Sequence, residues 1–193
     1  MTDRRLTRAS LVRGGAALAA GGAALAVWPR TTVSAPSAKQ DAEILRFALT
    51  VEDLQAAFYV DAVKQGALRG EMLDYARTVG GHERAHAAHV RKLLGAGAPK
   101  AKSFAFGDTN TTPEGFSNAA IELEELGLAA YNGAATSLTA DALADASRIV
   151  SVEARHASWI RDIVGKNPAP RAVDRPLSAA DAQAAIARTG FVS

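Results

Sequence analysis

The stretch VGGHERAHAAHVRKLL, residues 79–94, has the spacing of a helix but carries a carboxylate and an imidazole where core side chains belong. The residues three, four and seven positions from Glu83 are apolar, apart from His86, so both of these side chains face the core. A buried carboxylate is costly unless it is protonated, paired or bound to a cation. A spacing of three residues puts Glu83 and His86 within reach of the same ion.

A second stretch, IVSVEARHASWIRDIV, residues 149–164, repeats this arrangement with Glu153 and His156. The chain has only four histidines, so half of them stand in a Glu-x-x-His pattern. Carboxylate oxygen together with imidazole nitrogen suits iron, manganese or zinc. The other two, His82 and His89, lie at the edge of the apolar stripe. We expect them to be solvated or to support a ligand rather than to bind metal directly.

Two further segments, VEDLQAAFY and LEELGLAAY, align without a gap. Each has a glutamate on its apolar face seven residues before a tyrosine, Glu52 before Tyr59 and Glu124 before Tyr131. We expect the tyrosines to be core aromatics with hydrogen-bonded hydroxyls rather than redox participants. The chain is therefore interpreted as two helical hairpins, each with Glu on its first helix and Glu-x-x-His on its second. Pairing the hairpins would bring four carboxylates and two imidazoles together, the constellation of two-metal helix bundles.

The rest of the pattern predicts an all-α protein. Helices are expected over residues 41–65, 71–94, 113–137 and 140–166. Their connections are short, long and short, which predicts an antiparallel four-helix bundle over 36–166 with a long crossover between the second and third helices. Residues 167–193 are predicted to form an extended tail that could hold a short helix over 178–188.

The first 35 residues have the order of an export signal, with a basic part, an apolar part and a small polar part. The pair Arg4-Arg5 gives the basic part a twin-arginine-like character. An ordinary secretory signal or an uncleaved anchor is the alternative. We therefore expect the protein in the periplasm, in the cell envelope or outside the cell. The apolar run is shorter than the roughly 20 residues that a membrane span needs, and no span is expected in the mature domain.

Composition excludes several classes of function. Without residues 1–35 the chain has 17 basic and 19 acidic residues, a balance that gives no electrostatic footprint for nucleic acid. The chain has no cysteine, which excludes disulfides, thiolate catalysis, zinc fingers and iron–sulfur clusters built from its own residues.

From about residue 41 to 164 the chain resembles the ferritin-like superfamily. Within it, LRFALTVEDLQAAFY, HERAHAAH, LEELGLAAYNGAA and EARHASWI resemble the exported, desiccation-related ferritin-like proteins. The metal ligands that this resemblance implies are Glu52, Glu83, His86, Glu124, Glu153 and His156. It implies that Glu52 and Glu124 are terminal ligands, that Glu83 and Glu153 bridge two metals, and that each histidine binds one of them.

The expected function is that of an exported protein with a carboxylate-bridged centre of two metal ions, iron in the first place, with manganese or zinc as alternatives. Such a centre would act as a di-iron oxidoreductase of the ferroxidase or peroxidase type, oxidising Fe(II) or reducing peroxide in stress protection. No catalytic residue beyond the metal ligands is expected. The partners are metal ions with O2 or peroxide, and a homodimer remains open. The alternative is a non-catalytic structural or binding module of the cell envelope whose metal site is structural or lost.

Overall fold

The computed structural model describes residues 35–192, which form five α-helices and, over that range, no β-strand. The helices are α1 (Ala38–Gln65), α2 (Gly70–Leu94), α3 (Pro113–Ala134), α4 (Ala140–Ile163) and α5 (Ala179–Thr189). The first four agree with the sequence prediction to within about one helical turn at each end. Residues 1–34, which carry the predicted export signal, lie outside the described residues, and that signal stays a prediction.

Local hydrogen bonds account for the ends of the helices. Ser37, Thr112 and Thr139 stand at the N-caps of α1, α3 and α4, and each side chain accepts a bond from a backbone N–H of the first turn. Such caps satisfy donors that have no partner inside the helix. At the other end of α1, Gly66 has φ of 70°, the left-handed conformation that glycine adopts without strain. The helices therefore begin and end where the sequence supplies these residues.

The four long helices pack as two hairpins. Helix α1 packs along α2, and α3 packs along α4; across the hairpins, α1 contacts α3 and α2 contacts α4. This arrangement is a four-helix bundle, with its core between the hairpins. The connection over residues 95–112 is the longest in the bundle, and its predicted crossover path stays a prediction. No helix in the described range is long and apolar enough to span a membrane.

The long connection is fixed to one end of the core. Phe106 packs edge-on against Phe58 of α1 at 5.5 Å between ring centroids, and Phe116 stacks on the same ring at 5.5 Å. Asn110 is fully buried and donates to the backbone oxygen of Phe58 and to the Asp61 carboxylate. Aromatic contacts and a buried amide thus hold this segment, together with two single-turn 3-10 helices at Gly95–Gly97 and Thr109–Thr111.

The C-terminal tail contains a short helix in the region where the sequence allowed one, and this helix packs on the core. Helix α5, which occupies the region where a short helix was considered, buries Ala182 and Ile186 in the main core. Phe191 packs against the aromatic rings of the long connection. The backbone N–H of Leu177 donates to the carbonyl of Ala129 on α3. The tail after the fourth helix is therefore packed against the bundle. Ala182 and Ile186 are four residues apart, so they lie on the same face of α5 and both reach the core.

A glycine allows α1 and α2 to approach closely beside the Glu-x-x-His segment. A Cβ atom on Gly80 would lie only 2.8 Å from Cβ of Tyr59, too close without movement of a helix. At Gly81 the nearest atom outside the helix backbone would be the end of the flexible Arg84 side chain, at 3.9 Å. Close packing therefore explains the first glycine and not the second.

We predict different effects for alanine at these neighbouring positions, with stabilisation only at Gly81. Gly81→Ala should raise the free energy of unfolding by about 1 kcal/mol, because alanine favours the helix and meets no obstacle. Gly80→Ala gains the same helix propensity but overpacks the contact with Tyr59, which costs about 1–3 kcal/mol. Urea unfolding of both variants measures the difference. Equal stabilisation by the two substitutions would contradict the close approach.

Candidate metal centre

Four carboxylates meet at the centre of the bundle, one from each long helix. Glu52 comes from α1, Glu83 from α2, Glu124 from α3 and Glu153 from α4, and each is 0% exposed. Charged groups are almost never fully buried unless they are paired or bind a cation. Their shared position at the core follows from the apolar neighbours of each glutamate on its own helix.

The two histidines complete two overlapping groups whose ligand atoms lie within 4.8 Å of one another. The first group contains Glu52, Glu83, His86 and Glu153; the second contains Glu83, Glu124, Glu153 and His156. Both groups can hold a metal ion, and Glu83 and Glu153 belong to both. The structure thus brings together all six residues singled out in the sequence, and the shared pair corresponds to the bridging positions that the resemblance implies. Their role as metal ligands stays a prediction.

Both imidazoles turn Nδ1 towards the carboxylates. The Nδ1 atom of His86 lies 3.1 Å from Glu153, 3.2 Å from Glu83 and 3.4 Å from Glu52. The Nδ1 atom of His156 lies 2.9 Å from Glu83 and 3.1 Å from Glu124. A single ring nitrogen carries at most one proton, so it can donate to only one of these acceptors.

Tyrosines hold the outer carboxylates across the two hairpins. Tyr59 on α1 donates its hydroxyl hydrogen to Glu124 at 2.6 Å, and Tyr131 on α3 donates to Glu52 at 2.5 Å. Both tyrosines are therefore core aromatics with hydrogen-bonded hydroxyls. Each bond engages one carboxylate oxygen (Oε1) and leaves the second available to the centre.

Three carboxylate oxygens in this cluster make no well-formed hydrogen bond to a described residue, although an imidazole Nδ1 atom lies 2.9–3.4 Å from each. They are Oε2 of Glu52, Oε1 of Glu83 and Oε1 of Glu153. Leaving a buried polar atom unpaired costs about 1–3 kcal/mol, and more if it is charged. Three such oxygens beside two Nδ1 atoms are a donor set that one or two divalent cations would satisfy. The residues present therefore fit a metal centre.

Two residues of the centre were missed in the sequence. Gln55 is fully buried, and its Nε2 donates to Glu124 at 3.1 Å and to Glu153 at 3.3 Å. Gly127 leaves space beside it, because a Cβ there would lie 2.9 Å from Oε2 of Glu153. These residues occupy the same position in the two aligned segments, three residues after the outer glutamate. The sequence signal for both residues was the alignment of polar Gln55 with Gly127 in the two repeated segments.

The other two histidines have different surroundings. The Nδ1 atom of His82 lies 2.9 Å from Nε2 of His156, on the side of that ring away from the carboxylates. Nε2 of His89 lies 3.1 Å from Asp145. Neither belongs to the two groups that could hold a metal ion.

A groove between α2 and α4 leads from the surface to the two imidazoles. Its volume is about 420 Å³, and it is lined by His82, Ala85, His86, Val152, Arg155, His156 and Trp159. The carboxylates themselves are fully buried, so the edges of the imidazoles are the part of the cluster nearest to solvent.

Burial and mutual repulsion control the protonation of the cluster. Burial raises the pKa of Glu52 to about 7 and, with the charges of Glu83 and Glu124, raises that of Glu153 well above its usual range. Burial also raises the pKa of Glu124. For His156, burial works to lower the pKa, but the adjacent carboxylates of Glu124 and Glu83, which favour the protonated ring by hydrogen bonding and by charge, outweigh it and raise the pKa to about 10. Without a metal, the cluster thus retains protons at neutral pH.

Comparison with known proteins identifies the fold. The sequence model of the family described as "Ferritin-like domain" matches residues 40–166. Among solved structures, a conserved hypothetical protein, rv2844, from Mycobacterium tuberculosis is similar, with a TM-score of 0.59 and 20% identity. The match covers 70% of this chain and 97% of that one, and at this identity it shows the fold alone. No curated protein matches the sequence at a significant level.

We predict that metal binding strengthens as the pH rises. Without metal the pKa of Glu52 is about 7, so below pH 7 an ion must displace its proton. For each proton displaced, the affinity falls about tenfold for every pH unit below the pKa. The affinity for Mn(II) should therefore increase at least about tenfold from pH 6 to pH 8. Calorimetric titration in two buffers of different ionisation enthalpy gives both the affinity and the protons released. Binding that releases no protons and ignores pH would contradict this protonation state.

Proposed function

The chain belongs to the ferritin-like domain family, and on that premise we propose that it binds two metal ions at the candidate centre. We further propose that the centre contains iron and oxidises Fe(II) or reduces peroxide. The observation that carries this proposal is the set of three buried carboxylate oxygens that make no well-formed hydrogen bond and crowd around two imidazole nitrogens, which carry at most one proton each. A core that only had to be stable would satisfy or replace these groups.

The side chains have separable tasks in this proposal. Glu83 and Glu153, which belong to both groups, would be shared between the ions. Glu52 and Glu124 would each bind one ion through Oε2, the oxygen that its tyrosine leaves free. In Glu124 this is also the oxygen that faces His156. His86 and His156 would each supply Nδ1. When bound, a pair of iron ions supplies Lewis acidity and one-electron redox chemistry.

The surrounding core supports this chemistry by orientation and by exclusion of water. The hydroxyls of Tyr59 and Tyr131 fix the planes of the outer carboxylates, as supporting hydrogen bonds do in metal sites. Complete burial of the four glutamates keeps water from the carboxylate oxygens that would hold the ions. The protons held by Glu124 and Glu153 in the absence of metal would leave as divalent ions bind. Protons would thus neutralise these carboxylates in the metal-free protein, and the ions would do so in the loaded protein.

The donor set supports iron over metals that bind only oxygen. Magnesium and calcium favour sites made of oxygen ligands alone, whereas a mixture of carboxylates and imidazoles suits iron, manganese and zinc. Iron adds the redox chemistry, while manganese and zinc would occupy the same positions.

Export and stress protection belong to the same proposal. The order of basic, apolar and small polar residues in 1–35 supports export to the periplasm, cell envelope or exterior. The likeness of four motifs to desiccation-related proteins supports protection against oxidative stress, in which removal of Fe(II) or peroxide would be useful.

A second candidate is a structural metal site that stabilises the bundle without turnover. The complete burial of all four carboxylates favours it, because structural sites are closed whereas catalytic sites keep a position open to a reactant. In that case metal would raise the stability of the protein, yet Fe(II) would not be oxidised faster than in buffer.

We predict that purified protein accelerates Fe(II) oxidation by O2 or peroxide and that Glu153→Ala abolishes this activity. The substitution removes an oxygen ligand from both groups at once, so neither ion would keep its set of ligands. Glu122→Ala is the matched control, because Glu122 lies on the exposed side of α3 and should leave activity unchanged. Stopped-flow absorbance under defined oxidant concentrations measures the rate.

Thermal unfolding with and without metal separates the two candidates. Binding to the folded state alone raises the free energy of unfolding by about 2.7 kcal/mol at a metal concentration of 100 Kd. Stabilisation without Fe(II) oxidation would favour the structural site. Wild-type protein that gains no stability from Fe(II), Mn(II) or Zn(II) would contradict both.

A further inference from the structure

His82 is the one histidine outside the six proposed ligands that contacts a ligand ring. Its Nδ1 lies 2.9 Å from Nε2 of His156, and the two ring planes are 16° from parallel with centroids 5.1 Å apart, which fits an edge-to-edge contact between the two nitrogens. His82 itself is exposed, on the wall of the groove between α2 and α4. An exposed residue thus reaches the far side of a nearly buried imidazole.

The ring of His156 has two nitrogens with different surroundings. Nδ1 faces Glu83 and Glu124, whereas Nε2 faces His82. An imidazole that gives the Nδ1 lone pair to an ion keeps its remaining proton on Nε2, and that N–H needs an acceptor. The Nδ1 lone pair of His82 lies at hydrogen-bond distance from it.

We propose that His82 is a positioning residue for the metal centre, which accepts the Nε2–H bond of His156 and thereby fixes the tautomer and orientation that present Nδ1 to an ion. The inference rests on the proposed metal binding and adds a residue to it. Partners of this kind fix the tautomer and raise the basicity of ligating histidines, and their loss typically weakens metal binding about 10–100-fold.

The internal repeat restricts this role to one half of the centre. His82 stands four residues before His86, and the equivalent position four residues before His156 is Val152. The valine side chain lines the same groove but has no acceptor to offer. The two halves therefore match in their proposed ligands and differ in the support given to the imidazoles, so loss of His82 should affect one of two ions.

The test uses full-length protein freed of metal by a chelator and titrated anaerobically with Co(II). Calorimetry gives the affinity and number of ions, and the visible absorption of Co(II) reports its coordination. His82→Phe keeps an aromatic ring but removes the acceptor. His82→Asn restores one, because Oδ1 of asparagine and Nδ1 of histidine are both bonded to Cγ. His89→Phe is the control, on the same helix and bonded to Asp145 instead.

Wild type should bind two Co(II) ions. His82→Phe should weaken one of them about 10–100-fold and alter its absorption, with the number of ions unchanged. His82→Asn should stay within a few-fold of wild type, and His89→Phe should match it. In a His156→Ala background, His82→Phe should have no further effect, since the residue acts through that ring.

Three results would overturn the role of His82. These are unchanged binding in His82→Phe, an equal loss in the His156→Ala background, or loss of one whole ion that His82→Asn does not restore. The last result would make His82 a ligand in its own right. A wild-type protein that binds no Co(II) would instead contradict the proposed function, and the role of His82 with it. Thermal unfolding of each metal-free variant confirms that it is folded.

Discussion

Four carboxylates share one dry volume at the centre of the bundle, and the surrounding structure is organised to make this tolerable. Like charges in a low dielectric repel strongly, so each group must hold a proton, meet a cation or accept hydrogen bonds. Tyr59 and Tyr131 donate to the outer pair, and the imidazoles face the shared pair. The three oxygens that make no well-formed hydrogen bond belong to the groups that could hold a metal ion.

Helical period was sufficient to predict the bundle and the six converging residues. Glu83 with His86 and Glu153 with His156 stand on apolar faces, and the matched glutamates upstream fix which helices must pair. Gln55 was missed because its bonds to Glu124 and Glu153 depend on how α1 packs against α3 and α4. The spacing of residues within one helix does not predict that packing. The docking of α5 was missed for a similar reason, since Ala182 and Ile186 are too few to signal burial alone.

The repeat explains the symmetry of the centre, and its exceptions make the halves different. The outer glutamates and their tyrosines exchange hydrogen bonds across the hairpins in the same way. Gln55 stands opposite a glycine in the alignment and donates to both Glu124 and Glu153. His82 lies at Nε2 of His156, and the equivalent position in the other half is a valine. Two ions held by identical types of ligand would therefore have different surroundings.

Anomalous diffraction from crystals loaded with Mn(II) is the most direct test of the idea that the duplicated Glu–His halves converge on two ions. Two peaks are expected among the six side chains, about 3.5–4 Å apart, as in other two-metal sites. Glu83 and Glu153 should each lie between the peaks, with the Nδ1 atoms of His86 and His156 on different ions. Manganese bound elsewhere, with the six side chains closed into a hydrogen-bonded network, would contradict it.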